Sequence, residues 1–198
     1  MKMKTFNFKA KLNTEEQQLR NELIQHILKN PKQAIPFEQK YQPLLEKNVL
    51  NVEGNQITCL YPFSLKPTRF KVTIPEFEQT VYTMCAIDAI GVSDTLKTPI
   101  KIEAVCAETN TPIQLSVENN DIQNLTDYPD LRVLYKDLCP DSQCSVNCCP
   151  YIQFFKDEEA LEAYYAKHIG NASTISQDAS YHSLTLQQAR EVAQEIFA

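Results

Sequence analysis

The chain has 198 residues, 43% of them hydrophobic, and a formal net charge of −6. This composition is ordinary for a globular protein with a sizeable core, and the negative charge disfavours general nucleic-acid binding. The charge is uneven, because Lys and Arg exceed Asp and Glu by three in residues 1–65 and fall short of them by nine in residues 66–198. No apolar run reaches the length of a membrane span, so we expect no membrane association.

The seven cysteines of the chain cannot all pair with one another, because their number is odd. The first residues also lack the apolar run of a signal peptide. We therefore expect a cytoplasmic protein whose cysteines stay as thiols, a state in which they often serve catalysis or metal binding.

The front of the chain predicts a small helical module closed by a hairpin. Thr14-Glu15-Glu16-Gln17 is typical of a capping box, and the apolar stripe after it predicts a helix that ends at Asn30-Pro31. A second short helix is expected over residues 37–45 and a hairpin over residues 49–61. Two helices followed by a hairpin are typical of a winged-helix module, which can bind DNA but also serves as a lid or packing domain.

Residues 62–67 predict the passage into a second domain, so that domain 1–65 is followed by domain 66–198. Alternating or continuous apolar positions predict strands over residues 70–74, 100–106, 113–117, 132–135 and 151–155. Residues 138–150, rich in cysteine and proline, predict a loop.

Two helices are expected in the last part of the chain. One covers residues 157–168, and the other runs from the capping box at Thr185-Leu186-Gln187-Gln188 to Ile196. The predicted fold class is therefore α+β, with a small winged-helix-like N-terminal module and a mostly antiparallel sheet flanked by helices.

Cys85 and Asp88 stand where a strand pattern changes into a helix pattern. Ile87 and Ile90 lie on one side of the predicted helix, which Gly91 is expected to end. Backbone N–H groups and the helix dipole favour a thiolate at the start of a helix, and Asp88 falls on the same face as Cys85. A nucleophile and a proton carrier are thus placed side by side, although these residues alone also fit a buried cysteine followed by a surface aspartate.

Four further cysteines lie within eleven residues, namely Cys139, Cys144, Cys148 and Cys149. Their spacing is neither the paired C-x-x-C of a zinc ribbon nor a ferredoxin run. Three interpretations stay open: a local metal site, a thiol that reaches back to Cys85 and completes a site for a soft ion, and a redox pair.

At three places in order, the sequence resembles the organomercurial lyase family, also called alkylmercury lyase. They are the C-x-x-D of Tyr82–Asp88, the hairpin Val105–Pro112, and Cys149 before the Phe154-Phe155 pair. The likeness covers residues 62–170 and, more loosely, the front module. In that family the front module is winged-helix-like and is not a conventional DNA reader.

The resemblance implies cleavage of a carbon–mercury bond by protonolysis, which gives a hydrocarbon and Hg(II). Cys85 and Cys149 would bind the mercury, Asp88 would help to deprotonate a thiol and then protonate the departing carbon, and Cys106 would be structural. A carboxylic acid kept protonated by desolvation can deliver such a proton. The resemblance implies no organic cofactor; small-molecule thiols would remove the Hg(II), towards a mercuric reductase.

The cysteine loop departs from the family pattern. Cys148 directly precedes Cys149, so either can be the second working thiol, and the spacing to Phe154-Phe155 favours Cys149. Asp88 and Cys148 are further possible ligands of the metal.

Cys139 and Cys144 can hold mercury during transfer, bind another metal or be inert. An alternative function is therefore a non-catalytic relative that binds or senses a soft metal through the same cysteines. Asp88 favours the enzyme, because storage of a soft cation needs thiolates but no acid.

Overall fold

The computed structural model describes residues 3–119, 121–139, 141–170, 175 and 179–198. Its helices are α1 (Thr14–Lys29), α2 (Gln42–Glu46), α3 (Ala86–Leu96), α4 (Cys144–Asn147), α5 (Glu158–His168) and α6 (Leu186–Phe197). Its strands are β1 (Ile35–Pro36), β2 (Leu50–Glu53), β3 (Gln56–Leu60), β4 (Phe63–Ser64), β5 (Lys71–Ile74), β6 (Gln79–Thr83), β7 (Ile100–Val105), β8 (Pro112–Glu118), β9 (Asp121–Ile122), β10 (Arg132–Lys136), β11 (Gln153–Phe155) and β12 (Tyr181–Thr185).

The strands form two antiparallel sheets. The larger has nine strands in the order β1-β3-β4-β6-β5-β7-β8-β9, with β2 paired to β3, and the smaller has the order β11-β10-β12. The helices pack against these sheets, and their buried side chains join one hydrophobic cluster. The prediction of an α+β fold with a mostly antiparallel sheet is confirmed.

The front hairpin and the strands after it belong to the same sheet. Strand β4 pairs with β3 on one side and with β6 on the other, so backbone hydrogen bonds cross the predicted passage at residues 62–67. The division into domains 1–65 and 66–198 stays a prediction. Within the described residues, no helix has the length and apolar character needed to cross a lipid bilayer.

The capping box of α1 lies one residue earlier than predicted. The Asn13 side chain accepts a hydrogen bond from the Glu16 backbone N–H at 2.9 Å, and Glu16 Oε2 accepts one from the Asn13 N–H at 2.8 Å. The prediction that Thr14 caps the helix was therefore wrong. Asn is at least as good a cap as Thr, and a Glu three residues on completes its box.

Helix α3 does not end at Gly91, as was predicted, but continues to Leu96. Gly91 lies against α6, where an added Cβ would be 2.1 Å from Cδ2 of Phe197. The glycine therefore permits a close approach of two helices, and Lys97, with φ of 57°, is the left-handed residue that follows α3. Tertiary packing overrode the local stop signal.

The cysteine-rich segment is more regular than the predicted loop. It contains α4 and a single 3-10 turn over Cys149–Tyr151. The sequence prediction also omitted β12, which pairs with β10 throughout its length.

A buried ion pair fastens α3 to α6. Arg190 donates to Asp94 through two parallel hydrogen bonds of 2.6 and 2.9 Å, and the two side chains are 2% and 1% exposed. This geometry is the strong, two-pronged form of the arginine–carboxylate pair. The Asp94–Arg190 pair holds α3, the helix that carries Asp88 on its first turn, against α6.

Asp94→Ala removes the carboxylate that neutralises the buried Arg190 guanidinium. We expect the free energy of unfolding to fall by about 3–5 kcal/mol, as measured by urea unfolding followed by circular dichroism. The matched control is Glu53→Ala, which breaks the exposed pair with Lys66 and should cost about 1 kcal/mol or less. Equal losses in the two variants would contradict the role given to the buried pair.

Candidate active site

Cys85 caps the N-terminus of α3. Its backbone is extended, with φ of −152° and ψ of 178°, and its Sγ accepts a hydrogen bond from the Asp88 backbone N–H at 3.4 Å. The next residue, Ala86, donates its N–H to the Ile152 carbonyl at 3.1 Å. The helix start is thereby tied to the segment that carries Cys149.

Cys149 and Asp88 meet Cys85 at this point. One ligand atom from each of the three residues lies within 4.8 Å of the other two, and Cys149 Sγ is 3.7 Å from Asp88 Oδ2, within reach to donate its S–H. All three residues are buried. In the described part of the chain, no other group of three or more His, Cys, Asp or Glu residues converges in this way.

Tyr61 is a fourth member of the site that the sequence analysis missed. Its hydroxyl lies 3.9 Å from Cys149 Sγ, and its ring stacks on Phe8 with centroids 4.4 Å apart. Both aromatic residues come from the front of the chain and line the cavity above the thiols. No motif distinguishes Tyr61 from other buried tyrosines, so only the fold could reveal it.

The cavity is small and mostly apolar. Its volume is ≈ 10 Å³, about the least that holds one water molecule. Leu138, Ile152 and Ile196 contribute to its walls. Charges that form in this space interact through little intervening water, which strengthens their effect on one another.

Burial raises the pKa of the Asp88 carboxyl to about 7, against the opposing effect of hydrogen bonds from Cys85 and Cys149. Desolvation penalises the carboxylate more than the neutral acid. Near neutral pH a substantial fraction of Asp88 therefore carries a proton, as a general acid requires.

The same burial acts on the thiols. It raises the pKa of Cys85 to about 11, although hydrogen bonds from Cys149 and from the Asp88 backbone N–H oppose the rise. The N–H group at the helix start does favour a Cys85 thiolate, as expected, but desolvation outweighs it. The hydrogen bond to Cys85, together with burial, raises the pKa of Cys149 well above its usual value.

Cys148 points away from this cluster. Its Sγ lies 3.6 Å from the Asp137 carbonyl oxygen, and a hydrogen bond from Cys144 lowers its pKa to about 7. Cys139 is exposed. Of the two neighbouring candidates, Cys149 is thus the one whose thiol the fold brings to Cys85 and Asp88.

Cys106 lies in the β7–β8 hairpin and is buried there. Its Sγ accepts a hydrogen bond from the Thr109 backbone N–H at 3.5 Å. The neighbouring Ala107 donates to the Phe154 carbonyl at 2.9 Å. The hairpin is thereby joined to the strand that follows Cys149, so the three sequence elements that carry the family resemblance are neighbours in space.

A family model described as alkylmercury lyase matches residues 63–198. The chain belongs to the alkylmercury lyase family. It is accordingly an organomercurial lyase, an enzyme that cleaves carbon–mercury bonds.

Among solved structures, the mercury-bound form of MerB2 is similar to this chain in fold. The two share 20% sequence identity with a TM-score of 0.66, over 95% of this chain and 92% of that one. No curated protein matches the chain.

Asp88→Asn tests the buried carboxyl through the pH dependence of stability. Because the pKa is raised from 3.8 to about 7 on folding, the folded protein holds the proton more tightly. The contribution of Asp88 to stability is thus fully present below 3.8 and is lost as the pH rises to about 7.

We expect wild-type stability, relative to the variant with its permanently neutral amide side chain, to decline across that interval and then to level off. Urea unfolding of both proteins at each pH measures the difference between their free energies of unfolding. Groups present in both proteins, such as the His182–Asp137 pair, contribute equally and cancel. A pH-independent difference would contradict the raised pKa.

Proposed function

We propose that Cys85, Cys149 and Asp88 are the catalytic residues of this lyase and that they break the carbon–mercury bond by protonolysis. The observation that carries the proposal is the buried convergence of two thiols and one carboxyl within 4.8 Å. Two thiols match the preference of a soft metal for sulfur, and the carboxyl supplies the proton.

Cys85 is the first thiol to bind the substrate, because its Sγ accepts the Asp88 backbone N–H at 3.4 Å, a hydrogen bond that stabilises a thiolate. Its sulfur attacks the mercury of R–Hg–X, where R is the organic group and X an exchangeable ligand. X leaves with the Cys85 proton, and the product of this step is an R–Hg–S adduct. No bond to carbon has yet changed.

Cys149 then adds its sulfur to the mercury. Its Sγ lies 3.7 Å from Asp88 Oδ2, so the carboxylate form of Asp88 is placed to accept the thiol proton. The second thiolate increases the electron density on mercury and makes the bound carbon more basic. Asp88 is left as a neutral acid, the form that burial favours.

Asp88 finally gives this proton to the carbon while the carbon–mercury bond breaks. The hydrocarbon R–H leaves, Hg(II) remains between the sulfurs of Cys85 and Cys149, and Asp88 is again a carboxylate that can act as a further ligand. The acid is effective because its pKa of about 7 matches neutral conditions. No organic cofactor takes part in these steps.

Thiols complete the cycle by ligand exchange. Two thiol groups from outside the site replace Cys85 and Cys149 on Hg(II) and return protons to them, and a mercuric reductase is a suitable final recipient. All seven cysteines are thiols in the structure, which fits work in the reducing cytoplasm.

The front of the chain covers the site in this proposal. Helices α1 and α2 followed by the β2–β3 hairpin support a winged-helix-like module over residues 1–65. Phe8 and Tyr61 reach from it into the cavity, which favours a packing role over the reading of DNA.

An arylmercury assay tests the assignment. Incubation with a phenylmercury salt and excess small thiol should release benzene, which gas chromatography detects. Cys85→Ser and Cys149→Ser should each abolish turnover, because a hydroxyl is a poor ligand for a soft metal. The matched control is Cys139→Ser, which removes an exposed thiol and should retain most of the activity.

Two outcomes would contradict parts of the proposal. Stoichiometric binding of mercury by the wild-type protein without release of benzene would exclude protonolysis. Full activity of Cys149→Ser would transfer the role of second thiol to Cys148.

A further inference from the structure

A second pair of thiols lies beside the first. Cys144 begins α4 and Cys148 directly follows this helix, and the Cys148 N–H donates to the Cys144 carbonyl at 2.9 Å. Residues four apart in a helical turn lie on the same side of it, and the two thiols interact with each other. Each residue is only 2% exposed, so the pair is held in place by packing.

The second pair borders the catalytic pair. Cys144 lines the same cavity as Cys85, Asp88 and Cys149. Cys148 is adjacent to Cys149 in the chain but faces the Asp137 carbonyl, at 3.6 Å from Sγ. One thiol of the second pair therefore faces the catalytic cavity while the other faces away from it.

Exposed residues flank the pair. Val146, on the opposite face of α4, is 63% exposed, and Cys139, whose backbone lies beside the Cys148 thiol, is exposed as well. The ammonium groups of Lys11 and Lys136 interact electrostatically with Cys144 and Cys148, respectively. These positive charges offset part of the negative charge of two metal-bound thiolates.

Cys144 forms part of the cavity wall together with Cys85 and Cys149. A thiol in this wall is already next to an Hg(II) ion held by those two residues, and it attacks with the high effective concentration of an intramolecular group.

We propose that Cys144 and Cys148 form a second Hg(II) site, which takes the ion from Cys85 and Cys149 and presents it for release. The inference rests on the proposed function, which delivers Hg(II) to the first pair. Each Hg–S bond of that pair is replaced by one to Cys144 or Cys148, whose two protons pass to Cys85 and Cys149. Nothing is oxidised or reduced, and the catalytic thiols are restored.

Titration with mercuric chloride tests the existence of the site without any carbon–mercury chemistry. Excess glutathione strips Hg(II) from isolated thiols, and the mercury retained after gel filtration is counted by atomic absorption. We expect Cys85→Ser/Cys149→Ser and Cys144→Ser/Cys148→Ser each to retain one Hg(II) per chain, and the variant with all four changes to retain none. Cys106→Ala, which removes a thiol away from both pairs, is the control and should match the wild type.

Loss of all retained Hg(II) in Cys85→Ser/Cys149→Ser would overturn the second site. This result would not change the release of benzene in the arylmercury assay. Failure of the second site can therefore be distinguished from failure of the proposed function. Near-ultraviolet circular dichroism establishes that each variant is folded. If Cys144→Ser/Cys148→Ser does not fold, Cys148→Ser alone replaces it, because loss of one thiol is enough to break a two-thiol site.

The transfer step is tested in a single turnover of phenylmercury. Benzene release and the capture of Hg(II) by a coloured dithiol chelator are followed in the same sample. In Cys144→Ser/Cys148→Ser the delay between the two signals should lengthen relative to the wild type and to Cys106→Ala. An unchanged delay would exclude the second pair from the path of the ion.

Discussion

The desolvation of one carboxyl group beside two thiols is the constraint on which the site depends. Asp88 is almost fully buried, and the hydrogen bonds from the thiols only partly offset the cost of its charge. The same loss of water that raises the pKa of Asp88 also raises the pKa values of Cys85 and Cys149. The protonation of the carboxyl and that of the thiols are thus coupled through a shared lack of solvent.

The surrounding structure maintains this environment. The Asp94–Arg190 pair and the close contact of Gly91 with Phe197 hold α3 against α6, and α3 in turn presents Cys85 and Asp88 on its first turn. Tyr61, from the front of the chain, covers Cys149 from the other side. The site is therefore built from segments far apart in sequence, and loosening any of them would admit water.

The cysteine-rich segment directs neighbouring thiols to different surroundings. Cys149 turns inward to the buried carboxyl, whereas Cys148 turns to Asp137. The distinction follows from the backbone, because α4 ends at Asn147 and Cys148 has φ of −123° and ψ of −55° before the next turn begins. One short segment can in this way hold the proposed catalytic thiol and the proposed second pair for Hg(II).

The sequence by itself determined the elements whose signals are local. Alternating apolar residues located β5, β7, β8 and β10, the Thr185–Gln188 box located α6, and the change of pattern at Cys85 located the start of α3. Only the tertiary structure decided the length of α3, the position of Tyr61 beside Cys149, and which of Cys148 and Cys149 lies next to Cys85 and Asp88. These depend on helix packing, on burial and on where a side chain points, which arise from contacts between distant segments and leave no periodic trace in the sequence.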